Sequence, residues 1–175
     1  MSRLALAAIA LLAATVLVAT DLRAGDVLDL PLRKAGLWEL QRQTDEGRGS
    51  REQLLTMCVG EEMERKTVSA SRAESRSNCE MYEVKKTAGA TTVDATCTVD
   101  MRQTTTHTEL AGDFQTAFSV KVESKTAGFA PRAQGGQPVN VQRKIVQNGK
   151  YLGESCGDLS AGEAKAADGR TVIVR

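Results

Sequence analysis

The stretch CEMYEVKKTAGATTVDATCTV, residues 79–99, decides how this chain of 175 residues folds. Apolar and polar residues alternate on both sides of residues 87–89, which is typical of two antiparallel strands joined by a three-residue loop whose glycine takes a positive φ. If the residues that flank this loop, Lys86 and Ala90, pair with each other, the two cysteines of the stretch lie directly opposite one another. Opposite residues on antiparallel strands are about 4.5–5.5 Å apart on one face, within reach of a disulfide.

The chain has four cysteines, Cys58, Cys79, Cys97 and Cys156, and this even number is typical of two disulfides in an exported protein. The hairpin register favours a Cys79–Cys97 bond and leaves Cys58 to pair with Cys156. Two other pairings stay open at this point. Because disulfides form in oxidising compartments, the cysteines indicate where the protein works better than what it does.

The N-terminal segment has the features of a secretory signal peptide. Arg3 precedes an apolar run from Leu4 to Ala19, and Ala24-Gly25 offers a cleavage site, with a cut near Ala19 as the alternative. The run is shorter than the about 18–20 residues of a spanning helix, which favours cleavage over retention as an anchor. We therefore expect residues 1–24 to be a signal peptide, and the protein to be periplasmic or secreted with no spanning segment after cleavage.

The exported part is predicted to be electrically neutral. The chain has 23 basic and 22 acidic side chains, and residues 1–24 hold Arg3, Arg23 and Asp21, which leaves 21 of each. Non-specific binding to nucleic acid or to anionic lipid needs concentrated Lys and Arg, so we expect no nucleic-acid partner.

Period-two alternation runs through most of the chain and predicts one antiparallel β domain over residues 25–159, followed by a C-terminal tail over 160–175. The predicted fold class is all-β: a mainly antiparallel meander of seven or eight strands, curled into a bent sheet or small barrel, with one short helix and two disulfides. A sandwich is the alternative. The predicted strands are 36–43, 53–59, 79–86, 90–99, 101–110, 114–123, 139–146 and 150–156, with 171–174 as a candidate last strand.

Three connecting segments have predicted conformations. Residues 61–66 are expected to form the short helix, because acids lead and bases follow, and residues 69–78 a polar loop. Residues 124–138 hold three glycines and two prolines, which predicts a long loop. Asn148-Gly149 is a type I′ turn signal between the last two main strands.

The sequence predicts no enzyme, no cofactor, and no catalytic or metal site. His107 is the single histidine, so a multi-histidine metal site is excluded, and its threonine-rich strand is typical of a solvent-facing position. The chain contains no GxSxG, HExxH, CxxC or phosphate-cradling loop. Trp38 and Phe129 are candidate contacts to a ligand or partner, although a tryptophan flanked by leucines on an early strand is more often core.

Four segments together resemble a bacterial exported family known as domain of unknown function 3617. They are KAGLWE at 34–39, MCV at 57–59, the cysteine pair of the 79–99 hairpin, and GKYLGESC at 149–156. The resemblance implies a periplasmic location and the four-cysteine framework, and it implies no activity, since none is assigned to the family. One departure is Ser155, which precedes Cys156 where the family has a Gly-Asp-Cys-like run.

The sequence therefore predicts a non-enzymatic exported protein that binds a small apolar ligand or an envelope protein. Residues 124–138 would cover the opening of a curled sheet, the geometry of small barrels that hold ligands. A small hydrolase-like enzyme with a minimal site near His107 is the alternative, and an inhibitor or stress-related structural protein is a third interpretation. The residues with the firmest predicted roles are structural, namely the four cysteines and Trp38.

Overall fold

The structure is a computed structural model that describes residues 30–129 and 136–173. The predicted signal peptide, residues 1–24, lies outside the described residues, as do residues 130–135 of the predicted long loop. The elements, in chain order, are β1 (Gly36–Asp45), β2 (Ser50–Val59), α1 (Glu61–Asn78), β3 (Cys79–Lys86), β4 (Ala90–Val99), β5 (Arg102–Gly112), β6 (Ala117–Phe129), β7 (Pro138–Gly153), β8 (Glu163–Ala166) and β9 (Thr171–Ile173).

The strands form a single antiparallel sheet in the order β3-β4-β5-β6-β7-β1-β2-β8-β9. Strands β3 to β7 are a meander, and the β1–β2 hairpin extends it because β1 pairs with β7. The described edges, β3 and β9, do not pair with each other, so the sheet is open. The predicted all-β antiparallel class is confirmed, as a sheet rather than a closed barrel or a two-sheet sandwich.

Both disulfides of the favoured connectivity are present, Cys58–Cys156 and Cys79–Cys97. The register that predicted the second bond is wrong in its details, because Lys86 pairs with Thr91 rather than with Ala90 and Gly89 does not take a positive φ. A register shift between Cys79 and Met81 then restores the pairing of the two cysteines.

Helix α1 is longer than predicted. It spans 18 residues, Glu61–Asn78, so the loop predicted at 69–78 is wrong. No glycine or proline interrupts the segment, and ion pairs one turn apart support its first half: Glu61–Arg65 at 3.0 Å and Glu62–Lys66 at 2.7 Å. Its one buried residue is Glu64, and residues 69–78 are mostly exposed, so the apolar periodicity that would predict the second half of the helix is missing.

Strand β7 is continuous over 16 residues, and the turn predicted at Asn148-Gly149 is wrong. Gly149 has a packing role instead: it lies opposite Phe118 of β6, and a Cβ at this position would overlap the Phe118 ring. A glycine inside a strand often marks a place where a neighbouring group approaches the backbone closely.

The segments predicted as loop and tail also contribute strands. β6 begins at Ala117 and runs to Phe129, so residues 124–129 of the predicted long loop are extended. In the predicted tail, β8 pairs with β2 and places Ala164 in the core at 0% exposure. β9 pairs with β8 and confirms the short last strand.

One face of the sheet, which we call the inner face, is covered by α1 and carries the core. The buried residues that pack together there are Trp38, Leu40, Met57, Val59, Phe114, Phe118 and Ala164. Trp38 is fully buried, its indole Nε1–H donates to the Lys34 carbonyl at 2.8 Å, and its ring packs 5.3 Å from that of Phe118. The structure thus places Trp38 in the core.

Candidate functional site: a cleft between the helix and the sheet

Helix α1 is tied to the sheet at both of its ends. Cys79 follows the last helical residue and is bonded to Cys97 of β4. Just before the helix, β2 carries Cys58, which is bonded to Cys156. Gly60, which lies between β2 and the helix, packs closely against Ala161, because a Cβ at Gly60 would lie only 2.7 Å from the Ala161 methyl group. The helix therefore spans the inner face between two cross-linked points.

A cleft of about 290 Å³ lies between α1 and the inner face. Eleven of its sixteen lining residues are apolar: Leu30, Pro31, Leu40, Leu55, Met57, Met63, Val68, Leu110, Phe114, Phe118 and Val120. The sheet supplies most of these side chains from alternate positions of β1, β2, β5 and β6, which follows from the period-two pattern. The volume is at the lower end of the range of small-molecule pockets, about 300–1,000 Å³.

A tight turn before β6 fixes one wall of the cleft. The Asp113 carboxylate accepts hydrogen bonds from the backbone N–H groups of residues 115–117 and from the Thr116 hydroxyl, at 2.7–3.1 Å. These donors hold the pKa of Asp113 well below its ordinary value. Within the turn Phe114 has a φ of 57°, a left-handed conformation that is unusual for a bulky residue. The turn places the Phe114 ring in stacking contact with Phe118, at 5.1 Å between centroids, where the sequence predicted the start of a strand.

A buried ion pair joins the segment before β1 to the helix beside the cleft. The Arg33 guanidinium donates to both carboxylate oxygens of Glu64, with Nε–Oε1 at 2.8 Å and Nη2–Oε2 at 2.6 Å. Their side chains are only 16% and 6% exposed. Because two parallel hydrogen bonds satisfy both charges, this pair is a fixed structural element of the cleft wall rather than a free binding group.

Arg42 differs from Arg33 because its side chain has no ion-pair or hydrogen-bond partner among the residues that the structure describes. It lies on the inner face of β1 between Gln53 and Gln147, two residues beyond Leu40, and lines the cleft. Its Nε atom is buried and makes no hydrogen bond with any described residue. A buried donor without a partner carries a desolvation penalty that calls for an explanation.

Arg42 also lines a second, polar cleft of about 600 Å³. This cleft lies toward the β1–β2 turn and shares Arg42 with the first cleft. Four arginines line this cleft, and we call them the basic patch: Arg42, Arg48, Arg51 and Arg143. Arg143 is paired with Glu46, at 2.6 Å from Nε to Oε1. The other three make no ion pair with a described residue.

The other predicted site residues lie away from the cleft. His107 is on the outer face, where its Nδ1 is 2.6 Å from Asp94 Oδ1 and its side chain is 54% exposed. Phe129 ends β6, opposite Pro138, and is 51% exposed. Trp38 does not line the cleft. The contacts predicted for Trp38 and Phe129, and the activity considered near His107, stay predictions.

Sequence reasoning missed the cleft because no pattern in the sequence places α1 over the inner face. Met63 and Glu64, which line the cleft, lie within the predicted helix, and Thr67 and Val68 lie beyond its predicted end. One signal was available: in the alternation of β1, Arg42 follows Trp38 and Leu40 on the same face. A charged residue at an inward-facing position is a marker for a binding site. Within residues 30–129 and 136–173 no three His, Cys, Asp or Glu side chains gather as a metal site. Over the same ranges no helix has the length and apolar character of a membrane span.

Comparison with known proteins identifies one family. The family model described as a protein of unknown function, DUF3617, matches residues 33–156. The match begins at the arginine of the buried ion pair and ends at the last cysteine, so it includes α1, both disulfides and most of the cleft. No curated protein and no solved structure matches the chain.

Proposed function

The chain belongs to the DUF3617 family, whose description assigns no function, and we propose that it is an exported, non-enzymatic binding protein whose cleft under α1 holds a small apolar ligand. The observation that carries the proposal is the cleft of about 290 Å³ with eleven apolar lining residues. Small-molecule sites have this form, with mostly apolar walls and a few placed polar groups that orient the ligand. The cover that the structure describes is α1. In the segment 124–138, which the sequence predicted as the cover, residues 124–129 belong to β6 and residues 130–135 lie outside the described residues.

The apolar walls of the cleft also favour a ligand, because they are exposed to water when the cleft is empty. Each methylene group of an apolar ligand that is buried there contributes about 0.8 kcal/mol. Because a ligand that binds only the folded state stabilises it, the protein should be more stable when loaded.

The binding of an apolar probe tests this function. We expect naphthalene, an apolar fluorescent probe of about ten non-hydrogen atoms, to fit the cleft of about 290 Å³ and to change its fluorescence on binding the wild-type protein. Val68→Trp would fill the cleft from α1 and abolish the signal, whereas Ser69→Trp, an exposed neighbour that does not line the cleft, would preserve it. Unfolding midpoints of both variants control for lost folding. No probe binding by the wild type, or equal losses in both variants, would contradict the proposal.

Export is supported by the two disulfides, because such bonds form and persist in oxidising compartments. The N-terminal apolar run, which lies outside the described residues, is the second argument. N-terminal sequencing of the protein recovered from the periplasm is expected to give a start after Ala24. A start at Met1 would overturn the proposal that the segment is a cleaved signal.

A further inference from the structure

One polar residue of the cleft is an arginine whose side chain has no partner among the described residues. Arg42 lies where the apolar cleft meets the basic patch, and it lines both. Its Nε atom is buried without a hydrogen bond to any described residue. Arg33, which also lines the cleft, donates two hydrogen bonds to the Glu64 carboxylate, so this fold can place an acid beside an arginine of the cleft. The missing acceptor beside Arg42 is the first indication that a ligand supplies it.

The charges around Arg42 are the second indication. Arg48 and Arg51 line the same polar cleft and make no ion pair with a described residue, while Glu46 is paired with Arg143. Three unneutralised guanidinium groups therefore face one opening in a chain whose formal net charge is only +1. This concentration of positive charge attracts an anion to the end of an apolar cleft.

We propose that the ligand is an anionic single-chain amphiphile, with its acidic headgroup on Arg42 and its alkyl chain in the cleft under α1. This inference rests on the proposed function and specifies its ligand. The guanidinium group presents donors in a planar fork that matches a carboxylate or a phosphate. A fatty acid and a phosphate-bearing lipid fragment share this chemistry.

The volume of the cleft sets the length of the chain. A water-sized group occupies about 30 Å³, so 290 Å³ holds about ten non-hydrogen atoms. A medium chain of about eight carbons fills this space. Affinity should therefore rise by about fourfold with each added methylene up to this length and then level off.

Calorimetric titration with octanoate, octyl phosphate and octanol tests the headgroup, because the three share one chain. We expect the wild-type protein to bind at least one of the two anions about tenfold or more tighter than octanol. The tighter of the two anions identifies the source, a free fatty acid or a phosphate headgroup. Hexanoate and decanoate extend the series and check the predicted levelling with chain length.

Arg42 variants test the assigned contact. Arg42→Leu is expected to abolish the preference for the anion while the affinity for octanol stays within about twofold, and Arg42→Lys to keep part of the preference. The matched control is Arg65→Leu, which removes the same charge from an exposed helix position outside the cleft. Unfolding midpoints establish that each variant is folded.

The outcomes separate this inference from the proposed function. Equal affinities for all three compounds, or an Arg42→Leu variant that keeps the anion preference, would overturn the anionic ligand and leave an apolar binding site. An equal loss in Arg65→Leu and Arg42→Leu would overturn the contact, since net charge alone would explain the preference. If none of the compounds binds and the apolar probe also fails, the binding function itself is contradicted.

Discussion

A methyl group added at Gly149 tests how the inner face is packed. The new Cβ of Gly149→Ala would overlap several atoms of the Phe118 ring. That ring is only 5% exposed and packs against the rings of Trp38 and Phe114, so any shift that relieves the overlap disturbs both ring contacts. Overpacking of this kind lowers stability by about 1–3 kcal/mol, and the severity of the overlap places our expectation at about 3 kcal/mol. For a domain of this size the melting temperature would fall by about 6–12 °C.

The same strand provides the control. Gly153→Ala adds a methyl group to β7 where no heavy atom lies within 4 Å, and we expect a change of less than about 0.5 kcal/mol. Urea unfolding with the disulfides intact, followed by Trp38 fluorescence, measures both variants. Combining Gly149→Ala with Phe118→Leu relieves the overlap, so the double variant should be more stable than the sum of the two single effects, by about 0.5–3 kcal/mol. Equal effects of the two alanines, or an additive double variant, would refute the packing role of Gly149.

Three further predictions concern the cross-links and charges around the cleft. Glu64→Gln removes the carboxylate that neutralises the buried Arg33 guanidinium and should lower the free energy of unfolding by about 3–5 kcal/mol. Glu62→Gln, on the exposed side of α1, should lower it by less than about 1 kcal/mol in the same urea titration. Equal effects of the two variants would contradict the burial of the Arg33–Glu64 pair. Because the pKa of Asp113 is lowered in the folded state, its ionised carboxylate stabilises the fold above the ordinary pKa of about 3.9 and stops doing so as the pH falls toward the lowered value. The stability difference between wild type and Asp113→Asn should thus be constant near neutral pH and shrink in acid, and a difference that grows in acid would argue against the turn. Replacing Cys58 and Cys156 by alanine removes a cross-link between residues 98 apart and should lower the free energy of unfolding by about 4.7 kcal/mol. Replacing Cys79 and Cys97, which are 18 residues apart, should lower it by about 3 kcal/mol. A higher melting temperature for the variant that lacks Cys58–Cys156 than for the variant that lacks Cys79–Cys97 would refute this expectation.

Much of the sheet can be predicted from alternation, because a period of two assigns side chains to faces without knowledge of the partner strand. The Cys79–Cys97 bond shows both the value and the limit of this reasoning. The predicted loop of three residues was one residue too short, because Lys86 pairs with Thr91, and a register shift near Cys79 compensates for the error. The bulge places Cys79 and Tyr82 on one face although they are three residues apart, and the sequence analysis did not locate this break in the alternation, so the correct pairing was reached through an incorrect register.

The failures occurred where packing overrides a local signal. Asn148-Gly149 is a strong hairpin signal, but the Phe118 ring needs the space that a glycine leaves, and the strand continues through it. Helix α1 packs few apolar side chains, so its length could not be inferred from periodicity. Since α1 forms one wall of the cleft, the candidate site could not be assembled from the sequence. Arg42 was visible as an inward-facing charge on β1, but its lack of a partner is a property of the folded chain.

The most direct test of the binding cleft is NMR spectroscopy of the methionine methyl groups during a titration with octanoate. Met57 and Met63 line the cleft, from the sheet and from the helix, whereas Met81 and Met101 are 42% and 51% exposed and do not line it. We expect saturable shifts of the Met57 and Met63 signals, with the other two unchanged. Shifts confined to Met81 and Met101, or no shift of any of the four at saturating octanoate, would contradict binding between α1 and the inner face.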